Sequence, residues 1–319
     1  DIKGDTTLTQ MEPTPELIAA ADALYNAISG GGTDDETVIS TLATHTNPQI
    51  QAIRRSYEAR YARDLIDDIK GDTTGKYEDL LVAVVTERHR QEAMYIRKAC
   101  KGMGTDNVTV MDIVLARNAA ELKAIAAAYE KLYHRDMKED ILGEFTGKLK
   151  RVFIAALSMG RECGPADPSR VNSDAEMLHE AFKGFGTDET AVYQLLFSRS
   201  MMHLRQVFTV YEQTHGKTVR DMLKKEFGGE VEDCVVAVCD WCMDPAKAAA
   251  VILHRSLKGL GTEEARLECC LATRYDICGF GRIAAAYDAK YGPGKCAKDV
   301  KGDLTGTREK LALALLHIQ

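Results

Sequence analysis

The chain has 319 residues, of which 45% are hydrophobic and only 7 are proline, a composition typical of a folded protein. Its 41 basic and 48 acidic residues give a net charge of -7, which argues against nucleic acid as a direct partner and against unaided capture by an anionic membrane. No stretch approaches the roughly 18 uninterrupted apolar residues that a membrane-spanning helix needs. The polar first ten residues lack the apolar segment of a signal peptide.

The nine cysteines have no spacing typical of a disulfide framework, so we expect free, mostly buried thiols in a cytosolic protein. Cys234, Cys239 and Cys242 could suggest zinc. They fall in and around an apolar run without a nearby histidine, however, and packing in the core explains them better.

The first predicted helix begins at Thr14-Pro15, an N-cap followed by proline at the first helical position, and continues with apolar residues at helical spacing as far as Ile28. A glycine loop follows, and Thr33–Glu36 predicts a capping box that opens a second helix. Asn47-Pro48 opens a third helix, and a fourth, short helix leads to Asp72.

The first repeat closes with Leu80–Val85, an almost wholly apolar run that predicts a central helix. Five short helices and no strand are therefore predicted per repeat, an all-α fold. The same pattern recurs along the chain. The segment Gly160–Asn172, which contains Gly-Pro and Asp-Pro pairs typical of loops, is predicted to divide the chain into halves of two repeats each. The predicted organisation is a tail at 1–13, repeats at 14–86, 87–158, 173–243 and 244–319, and a linker at 159–172.

One short loop occurs four times, which marks the repeats most clearly. Its copies are Gly30–Thr33, Gly102–Thr105, Gly184–Thr187 and Gly259–Thr262. Glycines two apart let the backbone turn tightly and point carbonyl oxygens at one spot. The threonine, with an acid after it, is predicted to be the N-cap of the next helix.

An acid follows each loop in register. Asp72, Glu144 and Glu226 each come after the same gap of 38 residues, whereas Asp303 comes after 40. The turn Tyr291–Gly294 is predicted to hold the two extra residues. Main-chain carbonyls with one carboxylate are oxygen donors that suit Ca²⁺ better than Mg²⁺ or Zn²⁺, with weak affinity of about 10⁻⁴–10⁻³ M. Such an ion keeps positive charge and open positions that a phosphate oxygen can fill.

The loops also carry residues that suit a membrane interface: apolar tips that can enter the lipid and lysines that can meet headgroups. These predicted membrane contacts are Lys101, Met103, Lys183, Phe185, Lys258 and Leu260. The alternative is that each apolar tip packs against its own helix. The first loop has Ser29 and Gly31 at these positions, so we expect it to bind calcium but to hold lipid less firmly.

Four copies of this glycine loop with a downstream acid resemble the annexin family over about Thr14 to Gln319. The resemblance implies a slightly curved disk of four five-helix repeats that binds acidic phospholipids in calcium. By position, it implies these metal ligands: Ile28, Gly30, Gly32 and Asp72; Cys100, Gly102, Gly104 and Glu144; Phe182, Gly184, Gly186 and Glu226; Leu257, Gly259, Gly261 and Asp303. It also implies lesser calcium sites at Asp35, Glu189 and Glu264. It further implies a cytoplasmic protein that associates peripherally with membranes when calcium is present, although some family members occur outside cells. Self-association on membranes and cytoskeletal partners are also implied.

Two other functions compete with this interpretation. An enzyme is disfavoured because His215–Thr218 lacks the leading glycine of a phosphate loop, and His179-Glu180 lacks the second histidine of a zinc protease, whose position is taken by Lys183. A calcium-independent helical scaffold that binds cytoskeletal or other proteins is the alternative, since repeats alone permit it. The acids in register with the glycine turns argue against a scaffold.

Overall fold

The computed structural model describes residues 11–101, 106–183, 186–258 and 263–318. Over these residues the chain forms twenty α-helices and no strand, which confirms the all-α prediction of five helices per repeat. Repeat 1 contains α1 (Pro15–Ile28), α2 (Asp35–Ala43), α3 (Asn47–Tyr61), α4 (Leu65–Asp72) and α5 (Gly75–Val85). Repeat 2 contains α6 (Arg88–Ala99), α7 (Asn107–Val114), α8 (Ala119–Tyr133), α9 (Met137–Glu144) and α10 (Gly147–Ser158).

Repeat 3 contains α11 (Pro168–Ala181), α12 (Glu189–Ser198), α13 (Met201–His215), α14 (Val219–Glu226) and α15 (Gly229–Met243). Repeat 4 contains α16 (Pro245–Leu257), α17 (Glu264–Arg274), α18 (Arg282–Tyr291), α19 (Lys295–Asp303) and α20 (Gly306–Leu315). No helix in the described ranges is both long and apolar enough to cross a bilayer.

The helix after each glycine loop begins one residue later than predicted. Asp34 is the N-cap of α2, and its carboxylate accepts a hydrogen bond from the backbone N–H of Thr37 at 3.2 Å. Asp106 and Asp188 cap α7 and α12 in the same way. The prediction of Thr33 as N-cap of a capping box is therefore wrong, because its hydroxyl group bonds a distant carboxylate instead.

The helices fall into two compact units. Unit 1 is Ala93–Ala248, which holds most of repeats 2 and 3, and unit 2 holds repeats 1 and 4. The prediction that the 160–172 segment divides the chain into halves is wrong. That segment is anchored inside unit 1, because Arg161 is only 3% exposed and its guanidinium donates to the carbonyl oxygens of Leu115 and Arg117.

The apolar closing helices pack between repeats, as predicted for a central helix. In unit 2, α5 packs against α17 and α20 of repeat 4, and α2 also packs against α20. In unit 1, α10 packs against α12 and α15 of repeat 3. Leu80, Leu81 and Val84 of α5 are fully buried, so this helix places its apolar surface against partners from the far end of the chain.

The two extra residues of repeat 4 do not lie together. The segment between α17 and α18 spans residues 275–281, against residues 44–46 between α2 and α3. Tyr287 stands 12 residues before Asp299, whereas the matching pair Tyr57 and Asp68 is 11 apart. One extra residue therefore precedes Tyr287, and the other lies between Tyr287 and Asp299, the stretch that includes the predicted turn at Tyr291–Gly294. The prediction that this turn holds both extra residues is wrong.

The cysteines are free and mostly buried, as predicted: only Cys163 is exposed. Burial raises the pKa of the Cys242 thiol to about 12, so this side chain is a neutral core residue at physiological pH.

Candidate metal sites

Each glycine loop is closed by the same backbone hydrogen bond. The N–H at the start of the second helix of the repeat donates to a carbonyl at the end of the first helix. The pairs are Asp34 to Ala27 (2.9 Å), Asp106 to Ala99 (3.2 Å), Asp188 to Ala181 (3.0 Å) and Glu263 to Ser256 (3.1 Å). The residue after each acceptor is the first predicted ligand of its site: Ile28, Cys100, Phe182 or Leu257. The hydrogen bond therefore joins the two described ends of each loop.

The first site is the one whose four predicted ligands all lie in the described residues. Ile28 is buried at the end of α1, and Gly32 has a φ of +128°, a conformation that glycine adopts readily and other residues rarely do. The Thr33 hydroxyl donates to the Asp72 carboxylate at 2.5 Å. Asp72 is the last residue of α4. The fold thus brings the predicted acid to the glycine loop.

The third site has the same arrangement. Phe182 is the C-cap of α11, and Gly186 has a φ of +97°. The Thr187 hydroxyl donates to the Glu226 carboxylate at 2.8 Å, and Lys225 donates to the other oxygen of that carboxylate. These two contacts hold the pKa of Glu226 below its ordinary value, and the contact with Lys225 has the larger effect. Glu226 is therefore a carboxylate at neutral pH, the form that binds a cation.

Two sites are described only in part. Cys100 is buried directly after α6, and burial first, then the negative charge of Glu144, raise the pKa of its thiol to about 12. Leu257 ends α16 and Asp303 ends α19, which matches the placement in the other repeats. The remaining predicted ligands and membrane contacts lie outside the described residues: Gly102, Met103, Gly104, Gly184, Phe185, Gly259, Leu260 and Gly261.

Two of the three predicted headgroup lysines make ion pairs, Lys183 with the helix that precedes it and Lys258 with α19. Lys183 donates to Glu180 at 2.9 Å, and Lys258 donates to the nearly buried Asp299 at 2.8 Å. Lys101 is exposed. An exposed ion pair contributes little, typically below about 1 kcal/mol, so Lys183 can exchange its partner for a headgroup at small cost.

Sequence reasoning missed two features of these sites. The hydroxyl groups of Thr33 and Thr187 bond the acids, although the constant gap between threonine and acid was a visible signal. The acids Asp72 and Asp303 also line one cavity of about 480 Å³ within unit 2, together with Asp35, Lys76 and Arg308. No local pattern indicates that cavity, because its walls come from repeats 1 and 4.

Comparison with known proteins identifies the family of this chain. The annexin family model matches residues 19–84, 91–156 and 173–238. The chain belongs to the annexin family. It is 33% identical over 316 residues to annexin A5 of Cynops pyrrhogaster, covering 98% of this chain and 97% of that protein. It is also 33% identical over 297 residues to human annexin A4, covering 92% of each chain.

Solved annexin structures share the fold. Annexin III matches with a TM-score of 0.79 and 30% identity, covering 96% of both chains. The calcium-bound annexin (Sm)1 matches with a TM-score of 0.85 and 25% identity, covering 97% of this chain and 93% of that one. The annexin family model does not extend over repeat 4, yet α16–α20 follow the same five-helix order.

Proposed function

We propose that this annexin binds acidic phospholipid membranes in a calcium-dependent manner, through calcium ions held between the glycine loops and their paired acids. The observation that carries the proposal is the hydrogen bond from the loop threonine to the acid. Thr33 bonds Asp72 and Thr187 bonds Glu226, so a carboxylate stands beside each of these glycine turns.

The donor set fits calcium. Each site would supply three main-chain carbonyl oxygens and one carboxylate, and calcium accepts six to eight oxygens at flexible angles. A dication with one carboxylate keeps a net charge near +1 and has open positions, which phosphate oxygens of lipid headgroups can fill. The ions would thereby reverse the local sign of a chain whose net charge is -7.

The loop residues would complete the contact with lipid. The lysines at 101, 183 and 258 would meet headgroups, and the apolar tips Met103, Phe185 and Leu260 would enter the interface. The first loop, with Ser29 and Gly31, would add the least. We further propose a cytoplasmic protein that is peripheral on membranes in calcium, without catalytic activity. Self-association on the membrane and binding to cytoskeletal proteins belong to the same proposal.

Sedimentation with phosphatidylserine vesicles tests the proposal. The protein should pellet with vesicles in calcium and return to the supernatant with EDTA. Asp72→Asn, Glu144→Gln, Glu226→Gln and Asp303→Asn, made singly and then together, should each raise the calcium concentration needed for half-maximal pelleting. Glu212→Gln, an exposed acid on α13, is the control and should leave the titration unchanged. Pelleting that is unchanged by EDTA, or that remains after all four acids are replaced, would favour the calcium-independent scaffold.

A further inference from the structure

The first and third helices of every repeat meet through a pair of flat side chains near their C-terminal ends. In repeat 1, Tyr25 stacks on Tyr61 with ring centroids 3.7 Å apart. In repeat 4, His254 stacks on Tyr291 at 3.8 Å, and in repeat 2, Arg97 lies over the Tyr133 ring. Repeat 3 has two histidines here: His179 stacks on His215 at 3.8 Å, with 3° between the rings. The stack is thus a shared structural contact, but its chemistry differs between repeats.

Only repeat 3 places carboxylates on both sides of the first ring. Glu176 lies three residues before His179 and Glu180 directly after it, so the two glutamates are one helical turn apart. One ligand atom from each of the three residues lies within 4.8 Å of the other two. The equivalent flanking residues are Asp22 and Asn26, Met94 and Lys98, and Val251 and Arg255 in the other repeats. Among the described residues, this is the one group of three histidine, cysteine or acidic side chains close enough to hold an ion.

A second histidine stands beside this group, on another helix. Lys183 occupies the place of a second histidine on α11, but α13 brings His215 onto the face of His179. The Nε2 atom of His215 is buried without a hydrogen-bond partner and lies 3.8 Å from the Glu176 carboxylate. A buried imidazole nitrogen with no hydrogen bond, beside a carboxylate, indicates a site with unused binding capacity.

We propose that Glu176, His179 and Glu180 form a binding site for a transition-metal dication of the zinc class, separate from the calcium loops. One imidazole nitrogen and two carboxylate oxygens form a donor set that zinc accepts, whereas calcium prefers oxygen alone. Both glutamates are more than half exposed, at 58% and 57%, so their side chains can move the short distance needed to reach zinc bond lengths of about 2.0–2.2 Å.

Two neighbouring side chains, His215 and Lys183, affect metal binding at this site. His215 is the stacking partner that fixes the His179 ring. A metal in the plane of His179 lies outside the parallel plane of His215, so His215 can add a nitrogen only after its ring turns. Lys183 competes with the metal, because its ammonium group already bonds Glu180 at 2.9 Å. Water completes the coordination of a bound ion.

Zinc titration of the full-length, calcium-free protein tests this site, measured by isothermal titration calorimetry and by the visible absorption of Co²⁺ as a substitute. The chain supplies its own matched control: His179→Tyr with His215→Tyr reproduces the tyrosine stack of repeat 1 and removes the nitrogen ligand. All variants carry Cys163→Ser, which removes the exposed thiol. In the double variant, the affinity of one zinc-binding site should fall about tenfold or more. Lys183→Met should strengthen it.

Glu176→Gln with Glu180→Gln is a second variant that keeps both histidines and should cause the same loss. Far-UV circular dichroism shows whether each variant is folded. The proposal is overturned if folded variants bind zinc with unchanged stoichiometry and affinity. It is equally overturned if Glu226→Gln, in the third calcium loop, abolishes the zinc site that the histidine and glutamate variants leave intact.

Discussion

Asp140 shows how one carboxylate can hold three segments of a repeat together. It accepts hydrogen bonds from Tyr129 of α8 at 2.6 Å, from Arg97 of α6 at 3.1 Å, and from Arg135 in the turn before α9. The Arg135 contact is the largest cause that lowers the pKa of Asp140 to about 2, with Tyr129 and Arg97 adding to it. Asp68 and Asp299 bond the corresponding tyrosines of repeats 1 and 4, Tyr57 and Tyr287.

Asp140→Asn should lower the free energy of unfolding by about 1.5–3 kcal/mol at pH 7, since charged hydrogen bonds are lost. The folded pKa lies below the ordinary value of 3.8, so the ionised group stabilises the fold above about pH 4. That contribution disappears as the pH falls towards 2. Urea denaturation at several pH values measures both effects. Glu139→Gln, an exposed neighbour, is the control, and a difference that persists at pH 2 would contradict this account.

Thr187→Val should weaken calcium binding at the third loop by about tenfold, because the hydroxyl that orients the Glu226 carboxylate is removed while the side-chain volume is kept. Calcium titration by calorimetry measures the change. Thr209→Val is the matched control on α13, where the exposed hydroxyl bonds only a carbonyl of its own helix. Equal calcium affinity in Thr187→Val and the wild type would show that the hydroxyl has no part in the site.

These contacts mark the limit of what local sequence could predict. The acid after each loop was found because its register is constant along the chain. The N-cap was misplaced by one residue because threonine and aspartate are both good caps, and the choice depends on Asp72, which lies 39 residues away. The sequence around His215 shows only an incomplete phosphate-loop motif, and nothing nearby in sequence shows that His215 stacks on His179.

At the scale of the element, the closing helix of each repeat starts in the same unusual way. Gly75, Gly147, Gly229 and Gly306 begin α5, α10, α15 and α20 with φ values between +58° and +68°. A side chain at Gly147 would meet no atom within 4 Å, so only backbone conformation requires glycine there. The glycine lets the chain reverse directly after the predicted calcium acid and enter the core helix.

Gly147→Ala should therefore destabilise the protein by about 1–2 kcal/mol, the cost of a left-handed conformation for a residue with a side chain. Gly143→Ala is the matched control: it lies within α9 without a positive φ and also has open space around it. That substitution should be neutral or stabilise by up to about 1 kcal/mol, since alanine favours helix. Thermal unfolding of both variants tests the contrast, and equal melting temperatures would contradict it.

Helix positions were predictable because apolar spacing is a local property, and the run at Leu80–Val85 marks a buried helix by itself. The partners of that helix were not predictable. The packing of α5 on α17 and α20 joins residues about two hundred positions apart, and single-sequence patterns contain no record of such pairs.

At the scale of the whole molecule, membrane binding through coordinated calcium ions and membrane binding through long-range electrostatic attraction should respond differently to salt concentration. With a net charge of -7, the calcium-free chain should not pellet with phosphatidylserine vesicles at any ionic strength. In calcium, raising sodium chloride from about 0.1 to 0.5 M screens long-range attraction but leaves direct ion–phosphate bonds in place. Pelleting should therefore decrease modestly and persist. Complete loss at the higher salt concentration would indicate that diffuse electrostatics, and not bridging ions, hold the protein on lipid.

The grouping of repeat 1 with repeat 4 has a consequence for the order of folding on the ribosome. Unit 1 has its whole sequence available once residue 248 has emerged, and it can then fold. The helices α2 and α5 have been made by then, but their partners α17 and α20 have not. The apolar surface of α5 therefore stays exposed to solvent, or covered by a chaperone, until translation of the last repeat is complete.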